Sequence, residues 1–301
     1  MSKTIITSWL YTDIDVLACA VAYKNILQLL GKESFVSIST EFGGTIPKDI
    51  LSWWFSLDLV DIQDSDQVII VDTSDPKYID KRVNQDNIVE VFDHHPWYEA
   101  YRKEKIWDTF HLEHIGACAT LIYEEAVKYW VLEKLEKYSI DLLLTAIVSN
   151  TLNFKAQITN ERDIIAYSEL RLLSSLPANW IEIYFMQVEK DMLANPEDAI
   201  VNDMKALPIL GTNVTVAQIE LRDSYDFMMN NVVLIEKLAS WYWNEEWFYT
   251  SPSIWKWINN IFTKSDLLKK VLTEKIWATF DGEFWTTQQL WLRKEIWKKL
   301  M

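Results

Sequence analysis

The chain has 301 residues, 29 of them basic and 44 acidic, for a net charge of −15. Half of the residues are hydrophobic and 24% are charged, which excludes a disordered chain and suits two domains of ordinary size. That charge balance argues against a basic face for long DNA or RNA, and no apolar run is long enough to span a membrane. The opening, MSKTIITSWLYTDIDVL, lacks the pattern of a signal peptide, and Cys19 and Cys118 sit in apolar stretches as two buried thiols. A cytoplasmic setting is the expectation.

The first half alternates short β-branched runs with helical patterns, the signature of βαβ units on a parallel sheet. Thr4 to Thr7 predicts a strand, and the spacing of Val16, Leu17, Ala20, Val21, Ile26, Leu27 and Leu30 predicts a helix from Asp13 to Leu30. Gly31 ends that helix as a C′ residue. Ser34 to Ile38, Val68 to Val71 and Ile88 to Phe92 are further strands, apolar enough for a parallel sheet. Gly116 to Lys134 and Ile140 to Leu152 read as helices. The stretch from Leu176 to Asp198, with Pro177 and Pro196, marks a domain junction, giving domains 1–187 and 188–301. Beyond it, Val214 to Leu221 predicts a strand and Ser224 to Trp241 a helix. Ser265 to Trp277 predicts a helix running into a strand near Thr279, so the second domain is mixed α/β.

Acidic and imidazole groups follow three of the strands. Asp13 and Asp15 come after the first, Asp72 after VIIV, and Asp93, His94 and His95 close IVEVF. In a parallel sheet the carboxyl ends of the strands share one edge, so Asp13, Asp15, Asp72, His94 and His95 would converge on one crevice. Carboxylates packed together raise one another's pKa unless a cation sits among them. Carboxylate with imidazole suits Mg²⁺, Mn²⁺ or Zn²⁺ better than Ca²⁺. Two such ions about 3.5–4 Å apart form a clamp for phosphoryl displacement by an activated water. Taken singly, Asp13 is also a plain helix N-cap and Asp72 a plain turn residue.

DIDVLACAVAY, VIIVDTS and VFDHHP resemble the first three motifs of the DHH phosphoesterase superfamily, named for its Asp-His-His triplet. HIGACATLIYEE resembles the fourth. AIVSNTLNFKAQITNERD resembles the segment that carries a further metal ligand in manganese-dependent pyrophosphatases. In the C-terminal half, NDMKALPILGTNVTVAQIEL and LRKEI resemble the lysine-bearing and arginine-lysine motifs of the DHHA2-type domain of pyrophosphatases and exopolyphosphatases. The resemblance implies an α/β fold: a parallel-sheet DHH domain, a smaller mixed α/β DHHA2-like domain, and an active site in the cleft between them. It implies Asp13, Asp15, Asp72 and His94 as metal ligands, with Asp72 bridging, and His95 against the substrate phosphate. Lys205, Arg293 and Lys294 would hold substrate phosphates, a task for which cationic donors and the planar arginine fork are suited.

The implied activity is metal-dependent hydrolysis of pyrophosphate or short polyphosphate with one or two Mn²⁺ or Mg²⁺ ions. The implied partner is a small phosphorylated substrate, and a homodimer is plausible by resemblance only. The alternatives are a phosphodiesterase on small nucleotides and a catalytically weakened phosphate- or nucleotide-binding module. Trp9 stands where pyrophosphatases have a histidine ligand, and Asn150 where they have a ligand aspartate, so Asn150 offers only a neutral carbonyl oxygen to a metal. His114 is a candidate for substrate contact, whereas His111 and Glu113 read as solvated or capping groups.

The chain has 16 Trp and 6 Gly, where about 21 Gly would be average. Trp9, Trp97, Trp107, Trp255, Trp257 and Trp285 fall beside turn-like or small-residue stretches, where glycine is suited. Two explanations stand: an aromatic-rich core or interface, or a gene whose UGA codons mean glycine in its own cell.

Overall fold

The β-branched runs of the first half become strands of one parallel sheet in a computed structural model of the chain. It describes residues 3–8, 12–39, 41–52, 60–77, 79–95, 106–242 and 246–300. β1 (Thr4–Thr7), β2 (Ser34–Val36), β3 (Gln67–Val71), β4 (Ile88–Asp93) and β5 (Phe110–Leu112) lie in the order β2-β1-β3-β4-β5. Every pairing is parallel. The chain leaves β1 toward β2 on one side and returns to β3 on the other, so the strand order reverses between β1 and β3. That point is where ligands bind in open α/β sheets. Helix Ile14–Leu29 is buried almost throughout and ends at Gly31, whose backbone is left-handed (φ 75°).

Backbone contacts divide the chain into two units, Met1–Phe154 with Ile158–Ile181, and Lys155–Gln157 with Glu182–Met301. The second unit carries a six-stranded mixed sheet in the order β10-β11-β9-β8-β7-β6. Its strands are β6 (Lys205–Ile209), β7 (Thr212–Gln218), β8 (Glu246–Ser253), β9 (Ile258–Phe262), β10 (Thr279–Asp281) and β11 (Phe284–Thr286). β7 and β8 run parallel and the other pairs antiparallel. Two apolar clusters form its core. One packs Val216, Phe248, Ile261, Leu272 and Trp285, and the other packs Ala217, Tyr249, Phe262, Leu238 and Met228.

Several elements differ from the sequence expectation. The helix expected from Gly116 to Lys134 runs only over Cys118–Lys128, because Trp130 turns left-handed (φ 60°) and a separate 3₁₀ turn, Leu132–Lys134, follows. The helix expected from Ser224 to Trp241 is two, Tyr225–Asn230 and Val232–Tyr242, parted at Asn231. β8 and β9 carry Pro252, Asn259 and Asn260, which hid them from a pattern reading. Trp285 is fully buried in the second sheet's core, so its place is that of a packing aromatic. Trp9, Trp97 and the side chain of Trp107 lie outside the described residues. Cys19 and Cys118 are both buried thiols. No described helix is long and apolar enough to cross a membrane.

Candidate metal centre

The sheet's carboxyl edge gathers groups from three adjacent strands, β1, β3 and β4. Asp13 caps helix Ile14–Leu29, its carboxylate accepting the N–H groups of Asp15 and Val16 at 3.0 Å. Asp15, in the first turn, is fully buried. Its oxygens accept the backbone N–H groups of Cys118 (2.9 Å) and Ala119 (2.8 Å) at the start of helix Cys118–Lys128. A helix N-terminus carries partial positive charge, which stabilises a carboxylate held there.

Asp72 is 3% exposed and follows β3 in a left-handed conformation (φ 58°), which aspartate tolerates better than most residues. Its backbone N–H bonds the Phe92 carbonyl at 2.7 Å, tying the turn to β4. Burial, then the charges of Asp15 and Asp13, push the Asp72 carboxyl well above the usual carboxylate range. A cation among these acids removes that penalty.

His94 is 1% exposed, and its Nδ1 lies 3.0 Å from the carbonyl oxygen of Ile115. Only a donor suits a carbonyl, so Nδ1 carries a proton, and in the neutral ring the lone pair is then on Nε2. That Nε2 lies 3.4 Å from Asp72 Oδ1 and 3.9 Å from Asp15 Oδ2. His95 is more open. Its Nδ1 meets Asp93 Oδ1 at 2.8 Å, and its backbone N–H reaches the same oxygen at 3.0 Å. The two imidazoles pack edge to face with centroids 4.5 Å apart. One ligand atom each of Asp72, His94 and His95 lie within 4.8 Å of one another. A carboxylate and an imidazole nitrogen 3.4 Å apart, with the other ring nitrogen anchored to a carbonyl, form a donor set that fits a divalent first-row ion.

Asn150 closes helix Lys137–Asn150, and its amide nitrogen bonds its own helix at the Ala146 carbonyl (3.3 Å). The next residues but one, Leu152, Asn153 and Phe154, are all left-handed, a run of strained backbone of the kind that collects near functional sites. Glu113 is exposed, as a solvated group would be, and pairs with Arg162, which also pairs with Glu124. His111 stacks on Phe92 with centroids 4.6 Å apart, and His114 is exposed.

In the second unit, Lys205 opens β6 opposite Val216 of β7. Arg293 and Lys294 open helix Arg293–Leu300. The Arg293 guanidinium grips Asp203 through both terminal nitrogens, and its backbone N–H bonds the Gln218 side chain. Gln218 in turn donates to Glu220 at 2.7 Å. Burial and the nearby Asp203 push the Glu220 carboxyl up to about 7, against the opposing pull of Arg293 and Lys294.

Sequence reading passed over two groups. Asp93 orients His95, and it stood in the same triplet as the histidines. Asp163 binds the loop before helix Cys118–Lys128; its one sequence signal was the spacing Asn160-x-x-Asp163, a helix capping box.

Residues 3–147 match the family described as "DHH family, N-terminal domain". A "probable manganese-dependent inorganic pyrophosphatase" of Bacillus cereus (strain B4264) is 23% identical over 251 residues, covering 80% of this chain and 77% of the relative. A solved structure of a "putative family II inorganic pyrophosphatase" of Methanococcus jannaschii superposes with a TM-score of 0.70 at 18% identity and covers 99% of both chains. An exopolyphosphatase-related protein from Bacteroides fragilis reaches 0.54 at 14% identity over 99% of this chain and 90% of its own. The two-unit α/β architecture is therefore the fold of the Methanococcus protein.

Proposed function

We propose that the chain is a metal-dependent phosphoanhydride hydrolase acting on pyrophosphate or short polyphosphate. The observation that carries this reading is the meeting of Asp15, Asp72 and His94 past the ends of adjacent strands, with His94 Nε2 3.4 Å from Asp72 and 3.9 Å from Asp15. The curated relative's name supports manganese and pyrophosphate as the first choices. Asp13, Asp15, Asp72 and His94 would hold one or two Mn²⁺ or Mg²⁺ ions. When bound, such ions polarise a phosphate oxygen and make a water nucleophilic at neutral pH.

The chain's own residues do the rest. His95, steered by Asp93, faces the substrate phosphate and supplies or accepts a proton there. Lys205, Arg293 and Lys294 bind phosphate charge. Arg293 enters that task already fixed by Asp203, so less side-chain freedom is lost on binding. The test is phosphate release from pyrophosphate, tripolyphosphate and a dinucleotide, each with Mn²⁺, Mg²⁺ or Co²⁺. Turnover of the first two with the dinucleotide untouched supports the reading; hydrolysis of the dinucleotide alone overturns it.

One observation favours a second reading, a phosphate-binding module with weakened catalysis. Asn150 spends its amide on its own helix and has no charge to offer a second ion. Pyrophosphate binding under all three ions without phosphate release selects that module.

A further inference from the structure

We infer that Asp163 is a positioning residue for both His94 and Asp15, acting through the loop of residues 115–119. This rests on the metal-centre reading above. Asp163 is fully buried at the third position of helix Glu161–Leu173. One carboxylate oxygen accepts the N–H groups of Gly116 (2.9 Å) and Asn160 (3.0 Å), and the other accepts the Thr120 hydroxyl (2.7 Å). It therefore grips the loop at both ends. Between those grips, the Ile115 carbonyl takes His94 Nδ1, and the N–H groups of Cys118 and Ala119 take Asp15.

Residue 116 is glycine for the same reason. A Cβ there would fall 2.5 Å from the Asp163 carboxylate and 2.6 Å from Thr151. Three bonds from one buried carboxylate exceed what a helix capping box needs, since the box uses only the Asn160 N–H. The other two fix the loop that selects the His94 tautomer and holds Asp15 in place. Partners of this outer kind typically govern metal affinity by ten- to a hundredfold.

The test compares wild type with Asp163→Ala and the milder Asp163→Asn. The first readout is the ¹⁵N imidazole spectrum of the metal-free proteins at pH 8. The expected result is a single Nδ1–H tautomer for His94 in wild type and a mixture in both variants. The second is Mn²⁺ affinity by calorimetry, expected to weaken roughly ten- to a hundredfold in Asp163→Ala and less in Asp163→Asn. A folded variant that keeps the single tautomer and wild-type affinity, losing only thermal stability, overturns the assignment. Should wild type bind no Mn²⁺, the metal reading fails, and the tautomer comparison still decides the role of Asp163.

A separate observation concerns tryptophan, and from it we infer that Trp130, Trp257 and Trp277 occupy glycine positions, filled by glycine in a native cell that reads UGA as that residue. Eight described non-glycine residues have a left-handed backbone, and three are these tryptophans, at φ 60°, 61° and 53°. Trp130 follows helix Cys118–Lys128 with its N–H on the Val127 carbonyl and the Val131 N–H on Ala126, the double closure that glycine makes at C′. Trp277 is the left-handed cap of helix Asp266–Ile276, and Trp257 ends the four-residue turn between β8 and β9. Trp130 is 88% exposed and Trp277 65%, so no packing compensates for the strained backbone.

The gene's codons and the tryptic peptides of protein from the native cell test this. UGA at all three positions with glycine in the peptides is expected, and UGG with tryptophan overturns it. In the chain with tryptophan, Trp130→Gly and Trp277→Gly should each raise the melting temperature by roughly 2–4 °C. A lower melting temperature contradicts the conformational argument.

Discussion

Asp15 and Asp93 are equally buried, yet each spends its carboxylate differently. Asp15 accepts two backbone N–H groups at a helix start, and one of its oxygens lies 3.9 Å from His94 Nε2. Asp93 spends one oxygen on His95 and acts by aiming that ring. Asp72 has the surroundings least favourable to a bare negative charge, since burial and two neighbouring acids oppose it. Asp72→Asn should therefore lower turnover by about 10²-fold or more and abolish tight Mn²⁺ binding. Its circular dichroism should match wild type, because the amide keeps the shape and tolerates the left-handed turn. Retained turnover in that variant refutes the role of Asp72. At this scale the sequence was legible where side chains stand next to strand ends: Asp72, His94 and His95 lie together, with Asp15 3.9 Å from His94. It was not legible where a carboxylate works through backbone amides far along the chain. Asp163 and Gly116 are 47 residues apart, and no local pattern records their contact.

Elements show the same division. β1 is a short β-branched run, and β3 and β4 are apolar runs closed by Asp72 and Asp93, so their bounds were readable to within a residue or two. β8 was not, because Pro252 argues against an interior strand and Ser251 and Ser253 against burial. Ser251 donates to the Ile219 carbonyl and Ser253 to the Arg222 carbonyl. Asn259 bonds Thr250 and the Trp291 backbone, and Asn260 bonds Ser224. Two predictions belong here. Gly116→Ala forces its Cβ into Asp163 and Thr151, and chemical denaturation should show a loss of about 1–3 kcal/mol. Glu220, at the end of β7, has a folded pKa of about 7, above its unfolded value of 4.5. The folded state thus binds the extra proton, so stability falls as pH rises from about 4.5 to 7 and stays lower above that. Glu220→Gln should stabilise the protein at pH 8 by about 1 kcal/mol, allowing for solvent screening, and change little at pH 4. Equal effects at both pH values would show that Glu220 carries no such penalty.

At the scale of the molecule, the two units carry different sets of charged groups. The first sheet concentrates acids and imidazoles where its strand order reverses between β1 and β3. The second presents Arg293, Lys294 and Lys205 at the ends of a helix and a strand, with Arg293 locked by Asp203. The chain as a whole was legible because βαβ alternation survives in the sequence even with a divergent C-terminal half. The helix breaks at Trp130 and Asn231 were hidden, since a continuous helical pattern does not record a left-handed cap occupied by tryptophan. The most direct test is calorimetric titration of Mn²⁺ into the metal-stripped chain beside its His94→Ala variant, at pH 8. The account predicts saturable binding of one or two ions by wild type and a loss of at least about tenfold in affinity for the variant. Identical titrations of the two proteins, or no binding by either, would contradict it.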